Sequence, residues 1–190
     1  MRTVLIVLSL SALLSCARSV SRISPDQPID LSGRWNDTDS RQVANKMIAD
    51  LLGSQKFKDY SKALEKKPAI IVGLIRNKTS EHIDSDNYVK KLEFAIYNSG
   101  VADLVESDAF REKLRDERAQ QQDFSDPATV AQWGKEVGAN LMLFGEMTSE
   151  TDVYNNKRVV NYITTLFLTD METDKRIWYS QEEIKKLIRN

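Results

Sequence analysis

Pro68 opens a continuous apolar run, Ala69-Ile70-Ile71-Val72-Gly73-Leu74-Ile75. It has the length of a strand and no polar alternation. Such a run is expected as a central strand covered on both faces, which requires a sheet with neighbours on each side and helices over it.

The segments around it supply those helices. Asp39 can cap a helix, with Gln42 three positions on and Val43, Met47, Ile48, Leu51 and Leu52 as its apolar stripe, ending at Gly53. A second helix is expected over Asp86 to Asn98 on the spacing of Val89, Leu92 and Ile96, with Gly100 as its left-handed cap. A short strand from Val101 to Val105 follows. Phe110 to Gln122 reads as a helix exposed over most of its circumference. Asp126 and Pro127 mark a further helix start, with Val130, Trp133 and Val137 as its buried face and Gly138 as its end.

The last third changes period. Leu141 to Thr148 reads as a strand, Asn155-Asn156 as a tight turn, and Val160, Tyr162, Thr164, Leu166 and Leu168 alternate along a second strand. A turn at Asp170 to Asp174 leads into Arg176-Ile177-Trp178-Tyr179, giving an antiparallel meander. Glu182 to Arg189, with Ile184, Leu187 and Ile188, is expected as a terminal basic amphipathic helix. Helical crossovers early and tight turns late imply an α/β (α+β) fold: a mixed β-sheet with flanking helices, ending in an antiparallel meander.

The N-terminus has the layout of a secretory signal: Arg2, an apolar run from Val4 to Leu14, then Ser15 before Cys16. The run is far shorter than the roughly 20 residues of a spanning helix. Leu13-Leu14-Ser15-Cys16 resembles the lipobox of bacterial lipoproteins, in which cleavage leaves a lipidated cysteine as the mature N-terminus. Cys16 is the one cysteine of the chain, so it has no internal disulfide partner and an anchoring role accounts for it. The expected organisation is a signal peptide at 1–15, a lipidated N-terminus and short linker at 16–30, and a single globular domain at 31–190. The linker, with Pro25 and Pro28, is about fourteen residues long and reaches at most about 50 Å. Ala17, where an aspartate favours inner-membrane retention in enteric bacteria, favours the outer membrane, with the domain facing the periplasm.

Twenty-seven basic and 28 acidic residues leave a net charge of -1, so no long-range field gathers nucleic acid or an anionic bilayer. Contact with the membrane is expected through the lipid anchor. Catalytic chemistry finds few carriers. His82 is the one histidine, and without a free cysteine it cannot complete a usual zinc set; a loop role is expected. There is no G-x-S-x-G elbow, phosphate-cradling glycine loop or H-E-x-x-H. Glu146, Glu150, Asp152, Asp170, Glu172 and Asp174 fall at strand ends or turns, where solvation accounts for them more simply than a glycosidase pair. Asn36-Asp37-Thr38 and Asn77-Lys78-Thr79 match the glycosylation triplet and are read as turn residues. The charged run Arg111 to Arg118 can serve as a partner surface, but a solvated helix face explains it as well. Trp35 is expected to pack. The reading is therefore of a non-enzyme with no cofactor and no metal.

Several segments together resemble the LpoB-like activator lipoproteins of penicillin-binding proteins. They are Leu31-Ser32-Gly33-Arg34-Trp35-Asn36-Asp37-Thr38-Asp39-Ser40-Arg41, Asn77 to Asp84, Asn98-Ser99-Gly100, Gly138 to Glu146, Ile177-Trp178-Tyr179 and Glu183-Ile184-Lys185-Lys186. The resemblance implies a fold similar to the N-terminal domain of TolB. It also implies a non-catalytic outer-membrane lipoprotein that binds a class A penicillin-binding protein and stimulates peptidoglycan synthesis. Enterobacterial members carry a long Pro- and Gln-rich linker that the short tether here lacks. Either the partner then lies near the anchoring membrane, or the fold is used otherwise. The other reading is a structural or secretion-linked lipoprotein related to CsgG-type components. For that role only the hairpin around Asn155 offers barrel strands, and it is short.

Overall fold

The structure, a computed structural model, describes residues 19–124 and 138–189. Its order is α1 (Asp37–Gly53), α2 (Gln55–Ala63), β1 (Ala69–Asn77), α3 (Ser85–Ser99), β2 (Asp103–Leu104), α4 (Asp108–Phe124), β3 (Leu141–Tyr154), β4 (Lys157–Asp170) and β5 (Arg176–Arg189). The five strands form one sheet in the order β2-β1-β3-β4-β5. β1 is parallel to both neighbours, while β3, β4 and β5 run antiparallel. The mixed sheet ending in a meander is thus the architecture the patterning implies.

β1 is buried on both faces from Ala69 to Val72, and there the apolar run is explained. Further along it gains one residue on β3: Val72 lies opposite Leu143 but Ile75 opposite Gly145. This bulge turns Leu74 outward, 63% exposed, and returns Ile75 to the core. Asn140 fixes the start of the strand, with its side-chain oxygen accepting from the Ala69 amide at 2.8 Å and its own amide donating to the Ala69 carbonyl at 2.9 Å.

One face of the sheet carries the core. Ile70, Val72, Ile75, Leu141, Leu143, Met147, Leu166, Leu168 and Trp178 meet Val43, Met47, Ile48 and Leu51 of α1, Phe57 of α2, and Tyr88, Leu92 and Ile96 of α3. Fully burying each such large side chain stabilises the fold by about 1.5–3 kcal/mol. Asp84 caps α3 by accepting from the amides of Asp86 and Asn87, and Gly100 closes it at φ 64°, the left-handed cap expected there.

Three expectations are corrected. α1 begins two residues earlier than expected, because Asn36 is its cap and Asp39 sits at the third helical position, completing a reciprocal capping box. α2 has no counterpart in the sequence reading, since Phe57 is its one fully buried apolar residue. Glu182 to Arg189 is no helix: it continues β5, from Glu182 opposite Thr164 to Arg189 opposite Lys157. The segment expected as a helix from Asp126 to Val137 lies outside the described residues, as does Cys16. Among the described residues no helix is long and apolar enough to cross a membrane.

Candidate functional site

The chain entering α1 is fastened to the sheet by buried polar groups. Gly33, at φ 68°, lies where any side chain would run into Ile188 of β5. The Trp35 amide donates to Glu81 Oε2 at 3.1 Å, and the Tyr162 hydroxyl donates to Glu81 Oε1 at 2.6 Å. Burial, then the Glu81 bond, pushes the Tyr162 phenol well above its ordinary range. The Trp35 indole donates to Ser40 Oγ at 2.7 Å and packs edge-on against Tyr88 and Tyr162. On the neighbouring strand Lys186, 7% exposed, reaches Asp39 Oδ2 at 2.6 Å, the Arg34 carbonyl at 2.9 Å and Asp30 Oδ2 at 3.0 Å. All three donor positions of the ammonium are thereby used inside the fold.

This fastening shapes a cleft of about 740 Å³ between the N-terminal half of α1, the loop after β1, and α3. Trp35, Ile83 and Phe94 give it apolar walls, and His82, Arg41 and Lys90 bring polar ones. Lys91 and Arg41 hold Asp37 at 2.7 and 3.1 Å, and the Lys91 hydrogen bond lowers the Asp37 carboxyl below its usual range. Phe94 is 69% exposed, and Tyr97 one turn on is exposed too. Aromatic and cationic groups of this kind suit recognition of another polypeptide.

The opposite face of the sheet bears a ladder of rings. Phe144, Phe167 and Tyr179 stand across β3, β4 and β5, with centroids 5.5 and 5.4 Å apart, and the Arg176 guanidinium lies 4.2 Å from the Phe167 ring centre.

The acidic residues considered for chemistry are dispersed. Glu146 pairs with Lys78 at 2.6 Å on the outer face. Asp170 accepts from Tyr60 at 2.6 Å and from Thr173, bonds that lower its pKa to about 2. Glu150, Asp152, Glu172 and Asp174 are exposed. His82 lines the cleft, and among the described residues no group of His, Cys, Asp or Glu is gathered to hold a metal ion. Asn77-Lys78-Thr79 is a turn, with the Asn77 side chain bonded to Thr79 and to the Glu81 carbonyl. Trp35 packs as expected. The sequence reading did not find Glu81, Lys186 or Asp39 as a connected set. The available signal was Lys186 itself, a lysine at an inward position of an alternating strand.

A family description, peptidoglycan-synthase activator LpoB, matches residues 39–184, from the capping box of α1 to the middle of β5. The chain belongs to the LpoB family. Of the segments that suggested this resemblance, the parts between Asp39 and Ile184 fall within the match, while Leu31 to Thr38 and Lys185-Lys186 lie outside it. Among solved structures, the C-terminal domain of LpoB from Escherichia coli is 17% identical, with a TM-score of 0.47, covering 78% of this chain and 99% of that one. The corresponding domain from Salmonella enterica is 15% identical at a TM-score of 0.46, with the same coverage. The solution structure of E. coli LpoB is 17% identical at 0.45, covering 94% and 86%. A search of curated protein sequences gives no match.

Proposed function

We propose that this protein is a cell-envelope lipoprotein that activates peptidoglycan synthesis by binding a class A penicillin-binding protein, without catalytic activity of its own. Membership of the LpoB family, whose description spans nearly all of the folded part, carries this reading. The chain is cleaved before Cys16, acylated there, and held at the outer membrane with its domain, residues 31–190, in the periplasm. Residues 16–30 form the tether. An activator of this kind acts by binding the synthase more tightly in its active arrangement than in its idle one, and so shifts that equilibrium.

Three measurements test it. The chain, tagged at its C-terminus and purified from detergent-solubilised envelope, is expected to retain a class A penicillin-binding protein and to raise the glycan output of the purified synthase. Recovery of a different envelope complex, with no wall synthase after mild crosslinking, would overturn the reading. Cys16→Ser is expected to abolish acylation, read as loss of the lipid mass on the mature N-terminus.

A further inference from the structure

β3 and β4 run on past the end of β1, whose last partner on β3 is Met147, and they close in the turn at Asn155-Asn156. On the inner face of this overhang Val153, Arg158 and Ile188 stand side by side on β3, β4 and β5. They floor a pocket of about 480 Å³, walled by Ser32 and Arg34 of the segment entering α1 and by Lys157 beyond the turn.

The pocket gathers three cations and no acid. Among the described residues Arg34, Lys157 and Arg158 make no ion pair, whereas Arg41, Lys91 and Lys186 elsewhere in the fold are all paired. Arg158 Nε is moreover buried without an acceptor. A buried guanidinium donor left unmade is costly, and an oxyanion with several lone pairs removes that cost while balancing the charge. Glu150 and Asp152, near the tip on β3, belong to the outer face, opposite Asn161 and Val159.

The surroundings point to a bilayer as the source of that oxyanion. Val153 and Tyr154 are exposed at the hairpin tip, and Leu31 and Leu187 are exposed beside the cations. A free phosphate gains nothing from such apolar neighbours, while a tyrosine among aliphatic side chains suits the headgroup boundary. The tether is also at hand. Its outermost ion pair with the domain is Asp26 on Arg41, at 2.9 Å, and ahead of it residues 16–25 span at most about 36 Å.

We propose that this end of the sheet docks on the membrane, with the phosphate of an anionic phospholipid headgroup held between Arg34, Lys157 and Arg158. The near-zero net charge supplies no long-range pull, so the attraction acts at contact and holds a domain that its tether already keeps close. The proposal takes the nearness of a bilayer from the anchored reading of the N-terminus.

The test is cosedimentation of the mature chain carrying Cys16→Ser, and so no acyl group, with vesicles at physiological salt. Vesicle binding and acylation of Cys16 then succeed or fail separately. Vesicles of equal parts phosphatidylglycerol and phosphatidylcholine are expected to bind at least tenfold more tightly than phosphatidylcholine alone. Arg34 and Lys157 are exposed, so Arg34→Gln and Lys157→Gln leave the core untouched, and each should weaken binding about fivefold. Arg176→Gln, which removes the same charge at the other end of β5, should leave it within about twofold. Equal binding to both vesicles, binding indifferent to the Arg34 and Lys157 substitutions, or an equal loss from Arg176→Gln would each overturn the proposal. Titration with inorganic phosphate, followed at the Arg158 Nε–H resonance, separates the sources: a response there with no vesicle binding would assign the pocket to soluble phosphate and overturn the membrane contact.

Discussion

The Tyr162 hydroxyl and the Glu81 carboxylate meet at 2.6 Å, joining the middle of β4 to the loop that follows β1. The same carboxylate receives the Trp35 amide, so one acidic side chain holds three distant parts of the chain. Tyr162→Phe keeps the ring against Trp35 but takes away the hydroxyl that donates to Glu81 Oε1. A loss of about 1.5–3 kcal/mol is expected, the range for a hydrogen bond to a charged group, measured as a lower urea midpoint at unchanged slope.

Lys186 and Asp39 form an ion pair within the core, at 7% and 6% exposure. Lys186→Met removes the cation and leaves the carboxylate buried with only backbone donors. Destabilisation by about 3–5 kcal/mol is expected. Combining Lys186→Met with Asp39→Asn should recover a large part of that loss, because the amide can still complete the capping box without a buried charge. Equilibrium unfolding of the two singles and the double measures the recovery.

The same lysine explains where sequence and structure part. Read alone, Ile184, Leu187 and Ile188 fit a helical stripe, and the polar Lys186 hides the strand alternation. In the fold the inward positions of β5 are Trp178, Ser180, Glu182, Ile184, Lys186 and Ile188, three of them polar, and pairing with β4 along the whole strand overrides the local preference. β1, α3 with its glycine cap, and the β3–β4 hairpin at Asn155 were legible because each carries a local signal: an apolar run, a 3.6 period, or a turn residue at φ 52°. The polar fastening was not, because Glu81, Asp39 and Lys186 are far apart in sequence and acquire partners only when the sheet assembles.

Tyr60 and Asp170 give the fold a pH dependence at both extremes. Hydrogen bonds from Tyr60 and then Thr173 hold the Asp170 carboxyl at about 2, against an ordinary 3.8. A depressed carboxyl contributes stability above its unfolded pKa, and that contribution fades as the pH falls from 3.8 through about 2. Burial and the Asp170 bond raise the Tyr60 phenol to about 12, so its contribution is complete below pH 10 and is lost between there and about 12. Tyr60→Phe should raise the titration of Asp170 in the folded protein toward 3.8, so that less stability is lost between pH 3.8 and about 2, and should remove the alkaline limb. Urea unfolding across the pH range, with the Asp170 carboxyl followed by NMR, reads both.

Gly145 tests how closely β3 and β4 are apposed. It lies opposite Leu166, where the sheet is fully buried, and an added Cβ would run into the Thr165 carbonyl oxygen and come within 2.9 Å of the Leu166 side chain. The carbonyl is backbone in a paired strand, so it cannot swing aside as a flexible side chain would. Relief requires the two strands to separate just below the Phe144–Phe167 ring contact. Gly145→Ala is therefore expected to destabilise the protein by about 1–3 kcal/mol, although alanine is the better residue for an ordinary strand on entropic grounds. Gly53→Ala, at a site where a Cβ would meet nothing within 4 Å, serves as the control and should leave the urea midpoint unchanged or higher. Equal effects of the two substitutions would show that the loss at Gly145 does not come from the strand contact.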